Sequence, residues 1–200
     1  MILTAPYDMP AAPGFSQVSW NLLSVTAVSQ SPFTLRSQVY EWPGQKLGAV
    51  VTTPIMNREN GLAWQAFFAQ LRGRVGTFWF GDSAFANKQE AGLGMPETVA
   101  ISQGREVSST GWVPNTMGVV KAGDWLRIGG KLRKAITNAD AAADGTAEFM
   151  VWPDMQAVPA GTPIIWQNPK GVFRLDADVP ELVWRTDRLL DSFTFTIVEA

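Results

Sequence analysis

Cysteine and histidine are both absent from the 200 residues. The first absence excludes disulfides, thiolate metal sites and thiol nucleophiles, and leaves the redox compartment open. The second removes the usual proton shuttle of catalysis and the commonest metal ligand. Charge is scarce as well: charged residues make up 17%, against a usual share of about 25%. The net charge is −2, so no global basic field exists to attract nucleic acid. No stretch approaches about 18 uninterrupted apolar residues, which excludes a transmembrane helix, and no membrane insertion is expected. Met1, Ile2 and Leu3 are followed closely by Pro and Asp, not by the basic region and long apolar core of a signal peptide. The chain is therefore expected to be made in the cytoplasm and to stay in solution until it meets a partner.

What is present in excess is apolar and aromatic. Apolar residues reach 46%, with nine Trp and eleven Phe, enough for a substantial core and too many for disorder. A single aromatic core accounts for about half of the Trp and Phe. The rest suggest surface buried against other chains, because Trp and Phe are enriched at protein interfaces and low charge gives little mutual repulsion.

Pro6, Pro10, Pro13 and Gly14 read as an extended N-terminal arm rather than a packed element. Val18, Trp20 and Leu22 then alternate as a strand does, and Val25 and Ala27 continue the pattern until Pro32. Residues 38–42 and 48–53 read as two short strands around a turn at Pro43, Gly44 and Gln45. A helix is predicted over about residues 58–72. Asn57 is a good N-cap, Glu59 suits the helix dipole, and Gly73 supplies the stop. Trp64, Phe67, Phe68 and Leu71 fall on one face of it. Phe78 and Phe80 lie on the aromatic strand that follows, and these six residues are the expected structural core clamping helix to sheet.

Residues 83–96 read as a polar, Gly-rich connection. Short strands are then expected at 99–102, 118–120, 124–128, 132–137, 147–151 and 164–167, spaced as in a small sandwich or barrel. Three more follow at 171–175, 182–186 and 192–198, the last strictly alternating Phe193, Phe195 and Ile197. The fold class is mainly β, a sandwich or barrel with one packed helix plus an inserted small β domain. The expected organisation is a discontinuous core domain, 1–85 and 171–200, carrying an inserted domain at 86–170.

No enzyme chemistry stands out, and no catalytic, cofactor or metal residue is assigned. The acidic residues single out no pair for glycoside hydrolysis, and Ser and Lys show no matching spacing for a Ser–Lys hydrolase. Gly129, Gly130 and Lys131 form a hairpin turn rather than a phosphate cradle between strand and helix. Asn138, Asp140, Asp144, Gly145 and Glu148 resemble a calcium loop, but three alanines break the ligand series, and a hairpin turn at Asp144 and Gly145 is the expected structure. Arg127, Lys131, Arg133 and Lys134 read as the solvated face of a hairpin. Trp79, Trp152, Trp166 and Trp184 fall on predicted strands, whereas Trp42 and Trp112 stand beside turns and are expected to be exposed.

The run Tyr40, Glu41, Trp42, Pro43, Gly44 and Gln45, then Pro54, Ile55 and Met56, then Phe67 through Gly73 and on through Gly76, Thr77, Phe78, Trp79, Phe80, Gly81 and Asp82, resembles tail proteins of long-tailed phages and prophages. So do the stretches 122–129, with Asp124, Trp125 and Leu126, and 168–175, with Asn168, Pro169 and Phe173. The order of elements is similar to the minor tail protein M of lambda-type phages and to the N-terminal domain of distal tail proteins. This resemblance implies a tube-like β fold and a homo-oligomeric ring of six copies at the distal end of the virion tail. Its implied partners are the tail tube protein, the hub and tip proteins and the tape measure protein, with DNA only as cargo through the lumen. The insertion after Asp82 departs from the shorter lambda-type pattern. Two other readings stay open at this point: a carbohydrate-binding module for host recognition, and another tail ring such as a terminator.

Overall fold

The chain is mainly β with one helix among the described residues of the computed structural model, which are 6–82, 92–99 and 102–200. With strands numbered along the chain, the first sheet runs β1 (Gln17–Gln30), β2 (Ser37–Thr52), β11 (Thr194–Glu199), β10 (Gly171–Leu175), β3 (Thr77–Phe80), all antiparallel. Cross-strand partners share a face, so Phe173 with Phe78, and Phe195 and Ile197 with Val51 and Ala49, present one apolar surface.

The helix α1 (Arg58–Leu71) covers that surface. Asn57 caps it through a 3.0 Å bond from the Asn60 amide, and Arg72 and Gly73 leave it in the left-handed region. Its aromatic stripe packs on the sheet: Trp64 lies 5.8 Å from both Phe193 and Phe195, edge-on to the first and tilted to the second, and Phe67 meets Phe78 edge-on at 5.4 Å. Trp64, Phe67, Phe68, Leu71, Phe78 and Phe80 are all buried in one cluster. Gly61 is required where it stands, because a Cβ there would come within 2.7 Å of the Trp184 ring, which lies across the helix.

The second sheet is built entirely from chain between β3 and β10. Its order is β4 (Gly94–Thr98), β5 (Ser102–Trp112), β8 (Ala147–Val158), β7 (Lys131–Ala135), β6 (Trp125–Ile128), β9 (Ile164–Ile165). A bridge from Glu97 to Pro163, with Thr98 bonded to Thr162 and Gly161, brings its two ends together into a near-barrel. Val107, Leu126, Phe149, Val151, Ile164 and Trp166 fill it.

The two bodies meet along a seam. Trp20 of β1 packs on Trp125 of β6 at 4.6 Å, and both indole N–H groups donate to Asp82 Oδ2 at 3.1 Å. Arg133 of β7 pairs with Glu199 of β11, both buried, at 3.3 Å.

Several expectations are corrected. Pro43 and Gly44 make no turn; they sit in a bulge within one 16-residue strand, opposite Val25. Bulges tolerate a proline that a regular ladder position rejects, and the reversal comes instead at residues 31–36. The N-terminal segment is not a free arm from Tyr7 onward. Tyr7 exchanges backbone bonds with Thr77 and Trp79, and Phe15 reaches within 6.0 Å of Trp64. The cluster at 127–134 is not a solvated face throughout, because Glu199 draws Arg133 into the seam. Residues 182–186 form no strand; Trp184 makes a single bridge to Leu190. Most of the 83–96 connection lies outside the described residues, as do parts of the strand expected at 99–102.

Candidate assembly interface

β1 and β2 form a ribbon that outruns its sheet. β1 is the edge strand and pairs with β2 alone, whereas β11 pairs with β2 only from Gly48 to Thr52. From Ser37 to Leu47 the ribbon therefore extends roughly 30 Å past its last β11 partner, and among the described residues no further strand pairs with either outer backbone edge. β-branched and aromatic residues such as Val18, Trp20, Val25, Thr26, Val28, Val39, Tyr40 and Trp42 favour this extended pairing.

The side chains on this ribbon are unusual for a surface. Leu22, Leu23, Val25, Val28, Phe33, Leu35, Val39, Tyr40 and Trp42 are all exposed, Phe33 by 94%. Strand alternation puts Leu22 and Val28 on one face and Leu23 and Val25 on the other. Across the ladder Val39 joins Val28, and Tyr40 stands opposite Ala27. Tyr40 and Trp42 pack edge to face at 4.9 Å. Between Gln17 and Thr52 the only charged residues are Arg36, Glu41 and Lys46. Exposed apolar side chains concentrated on one element, rather than scattered singly, mark an interaction surface. An edge of this length and polarity pairs with another chain unless something blunts it.

Elsewhere, exposed chemistry is sparse. Asp140 accepts from the Gly118 amide, Asn138 from the Ala122 amide, and Asp144 from the amide and hydroxyl of Thr146. The calcium-like segment thus spends its oxygens on its own turns, and the Thr146 bonds hold the Asp144 carboxyl below its usual range. Among the described residues no group of three or more His, Cys, Asp or Glu could hold a metal ion. An open groove of about 390 Å³ brings Glu106 and Glu148 onto neighbouring strands. Both are exposed.

Trp42 is exposed as the sequence suggests, but Trp112 is buried, its indole donating to Ser109 at 2.8 Å. Trp125 and Trp166 are buried too and Trp152 is half-buried. The second sheet thus presents no exposed Trp platform for a sugar ring among its described residues. Burial lowers the pKa of Arg133, and Glu199 opposes that shift.

The sequence pointed to the core clamp but not to the ribbon, because Pro43 and Gly44 imitate a turn that would have cut β2 in half. The usable signal was the near absence of charge from Gln17 to Thr52. No helix of the described residues is long and apolar enough to cross a membrane. No protein-family model matches this chain, and no curated protein is significantly similar to it.

Proposed function

We propose that this chain is a non-enzymatic, ring-forming structural subunit of a phage tail, seated at the distal end between the tube and the hub with its receptor-binding apparatus. The observation that carries the reading is the β1–β2 ribbon, with two edges unpaired among the described residues, two apolar faces and very little charge. In a cyclic array every copy presents β1 and β2 in the same directions. The free edge of β2 in one copy then meets the free edge of β1 in the next, and the two run antiparallel. That contact is heterologous, so it propagates until rotation closes it as a ring. The two copies use different edges of one element, and no second docking site is needed.

The rest of the molecule supports the same role. The sheet face opposite α1 is bare of helices and carries Thr77, Trp79, Val172 and Val50 together with Arg174 and Lys46, and the Arg127 guanidinium lies over the Trp79 ring at 5.3 Å. The near-barrel built from the second sheet rides on the ring-forming sheet and supplies a separate surface for further tail components.

The test is the paired substitution Val28→Lys with Val39→Lys at the centre of the ribbon. Lysines on an apolar interface disfavour association. Because Val28 and Val39 are cross-strand partners within one copy, their like charges also weaken the ribbon's own pairing, so Val28→Lys alone is measured beside the pair and must give the same loss of assembly. The wild-type chain is expected to assemble and the variant to remain monomeric with an unchanged far-ultraviolet spectrum. Assembly of the variant at wild-type concentrations would refute the assigned interface.

A further inference from the structure

Three local irregularities in three different strands converge on one polar cluster. In β2, the bulge at residues 42–44 places Glu41 and Gln45 on either side of the kink, opposite Thr26 and Ser24. In β5, the register slips on both sides of Gly104, whose φ of +80° bends the strand just before Arg105. In β8, Asp154 follows the cis-linked Pro153. Arg105 lies where these meet. Its Nε donates to Asp154 Oδ1 at 3.0 Å and its Nη2 to Glu41 Oε1 at 3.3 Å. Gln45 completes the ring, donating to Glu41 Oε1 at 3.1 Å and accepting from the Asp154 amide at 2.8 Å.

We infer that Arg105 is a positioning residue: it braces the β1–β2 ribbon against the near-barrel and so fixes the angle at which the ribbon projects. A two-stranded ribbon unsupported on both faces is free to twist and swing. Here the brace acts at the bulge, where the ladder is interrupted and the ribbon is easiest to bend. One guanidinium spans two carboxylates from separate bodies, a fork geometry that an ammonium does not reproduce. The apolar seam at Trp20 and Trp125 holds the ribbon's root, whereas the Arg105 cluster grips it farther out. The consequence for assembly rests on the ring reading, because a cyclic array closes only if every copy presents its ribbon at one angle. The brace itself does not depend on that reading.

The full chain contains no cysteine, so a pair of spin labels can be placed uniquely at Thr34→Cys near the ribbon tip and Ala143→Cys on the near-barrel. Labelled chain diluted in unlabelled chain gives the intramolecular distance distribution. The wild-type background is expected to give a narrow distribution at about 0.05 M salt that broadens at about 1 M, because half-exposed ion pairs are screened. Arg105→Gln should broaden it by about twofold at low salt, with Arg105→Lys falling between, as a restraint is exchanged for a population of angles. Glu41→Gln, on the other side of the cluster, should reproduce the effect and guards against a folding defect specific to Arg105. Distributions for Arg105→Gln and Glu41→Gln that superimpose on the wild type would overturn the brace. Oligomer mass is measured separately on the same samples, so a monomeric wild type with a narrow distribution would refute the ring and leave the brace standing.

Discussion

Glu199→Gln removes the carboxylate paired with Arg133 at the seam between the two sheets. Both residues are buried, at 4% and 3% exposure. The pair is imperfect: the contact is a single 3.3 Å approach, and Arg133 Nε has no hydrogen-bond partner among the described residues. Its Nη1 also donates to the Leu132 carbonyl at 2.9 Å, which offsets part of the desolvation. A pair of this quality contributes little net stability, because the desolvation of two ions cancels most of their attraction. Removing one partner is a different matter, since the guanidinium is left buried and uncompensated at a cost of about 3–5 kcal/mol. For a chain of this size that lowers Tm by about 6–20 °C. The double replacement Arg133→Met with Glu199→Leu should recover nearly all of the loss, or exceed the wild type by about 1–4 kcal/mol. Urea unfolding followed by Trp fluorescence reads both, with calorimetry as a check on cooperativity. A Glu199→Gln variant within about 1 kcal/mol of the wild type would refute the reasoning, as would a double variant no better than the single one.

Phe67→Ala should cost about 3–5 kcal/mol in urea unfolding, because Phe67 is buried among Trp64, Phe68 and Phe78 and its removal leaves a cavity. Thr146→Val should raise the Asp144 carboxyl toward its ordinary range in an NMR pH titration, since the Thr146 hydroxyl and amide are the leading causes of its depression. A depressed carboxylate pKa contributes stability that is present above its unfolded value and lost as pH falls through the folded value. The stability difference between Thr146→Val and the wild type should therefore shrink on acidification through that window.

Much of the fold was legible because local signals and tertiary context agree. Asn57, the aromatic stripe and Gly73 define α1 with little help from elsewhere, and Gly129 with Gly130 close a two-residue hairpin as their positive φ permits. The failures have a common cause: a local signal was overridden by a distant partner. Pro43 and Gly44 look like a turn until β1 is seen running unbroken beside them. Pro10 and Pro13 look like a loose arm until Phe15 finds Trp64 and Phe80. Arg133 looks solvated until Glu199, 66 residues away, reaches it. The candidate interface was the least legible feature, because a strand buried on both faces and a strand exposed on both faces have the same apolar sequence. Only the count of neighbouring strands tells them apart.

The central claim is that the β1–β2 ribbon joins copies of this chain into a closed ring. It is tested most directly by the mass of the purified full chain in solution, measured by light scattering across a wide concentration range beside the Val28→Lys, Val39→Lys variant. A closing heterologous contact predicts one discrete assembly for the wild type, six copies if the tail-protein resemblance holds, and the mass of one chain for the variant. A wild-type chain that keeps the mass of one copy at every concentration would contradict it.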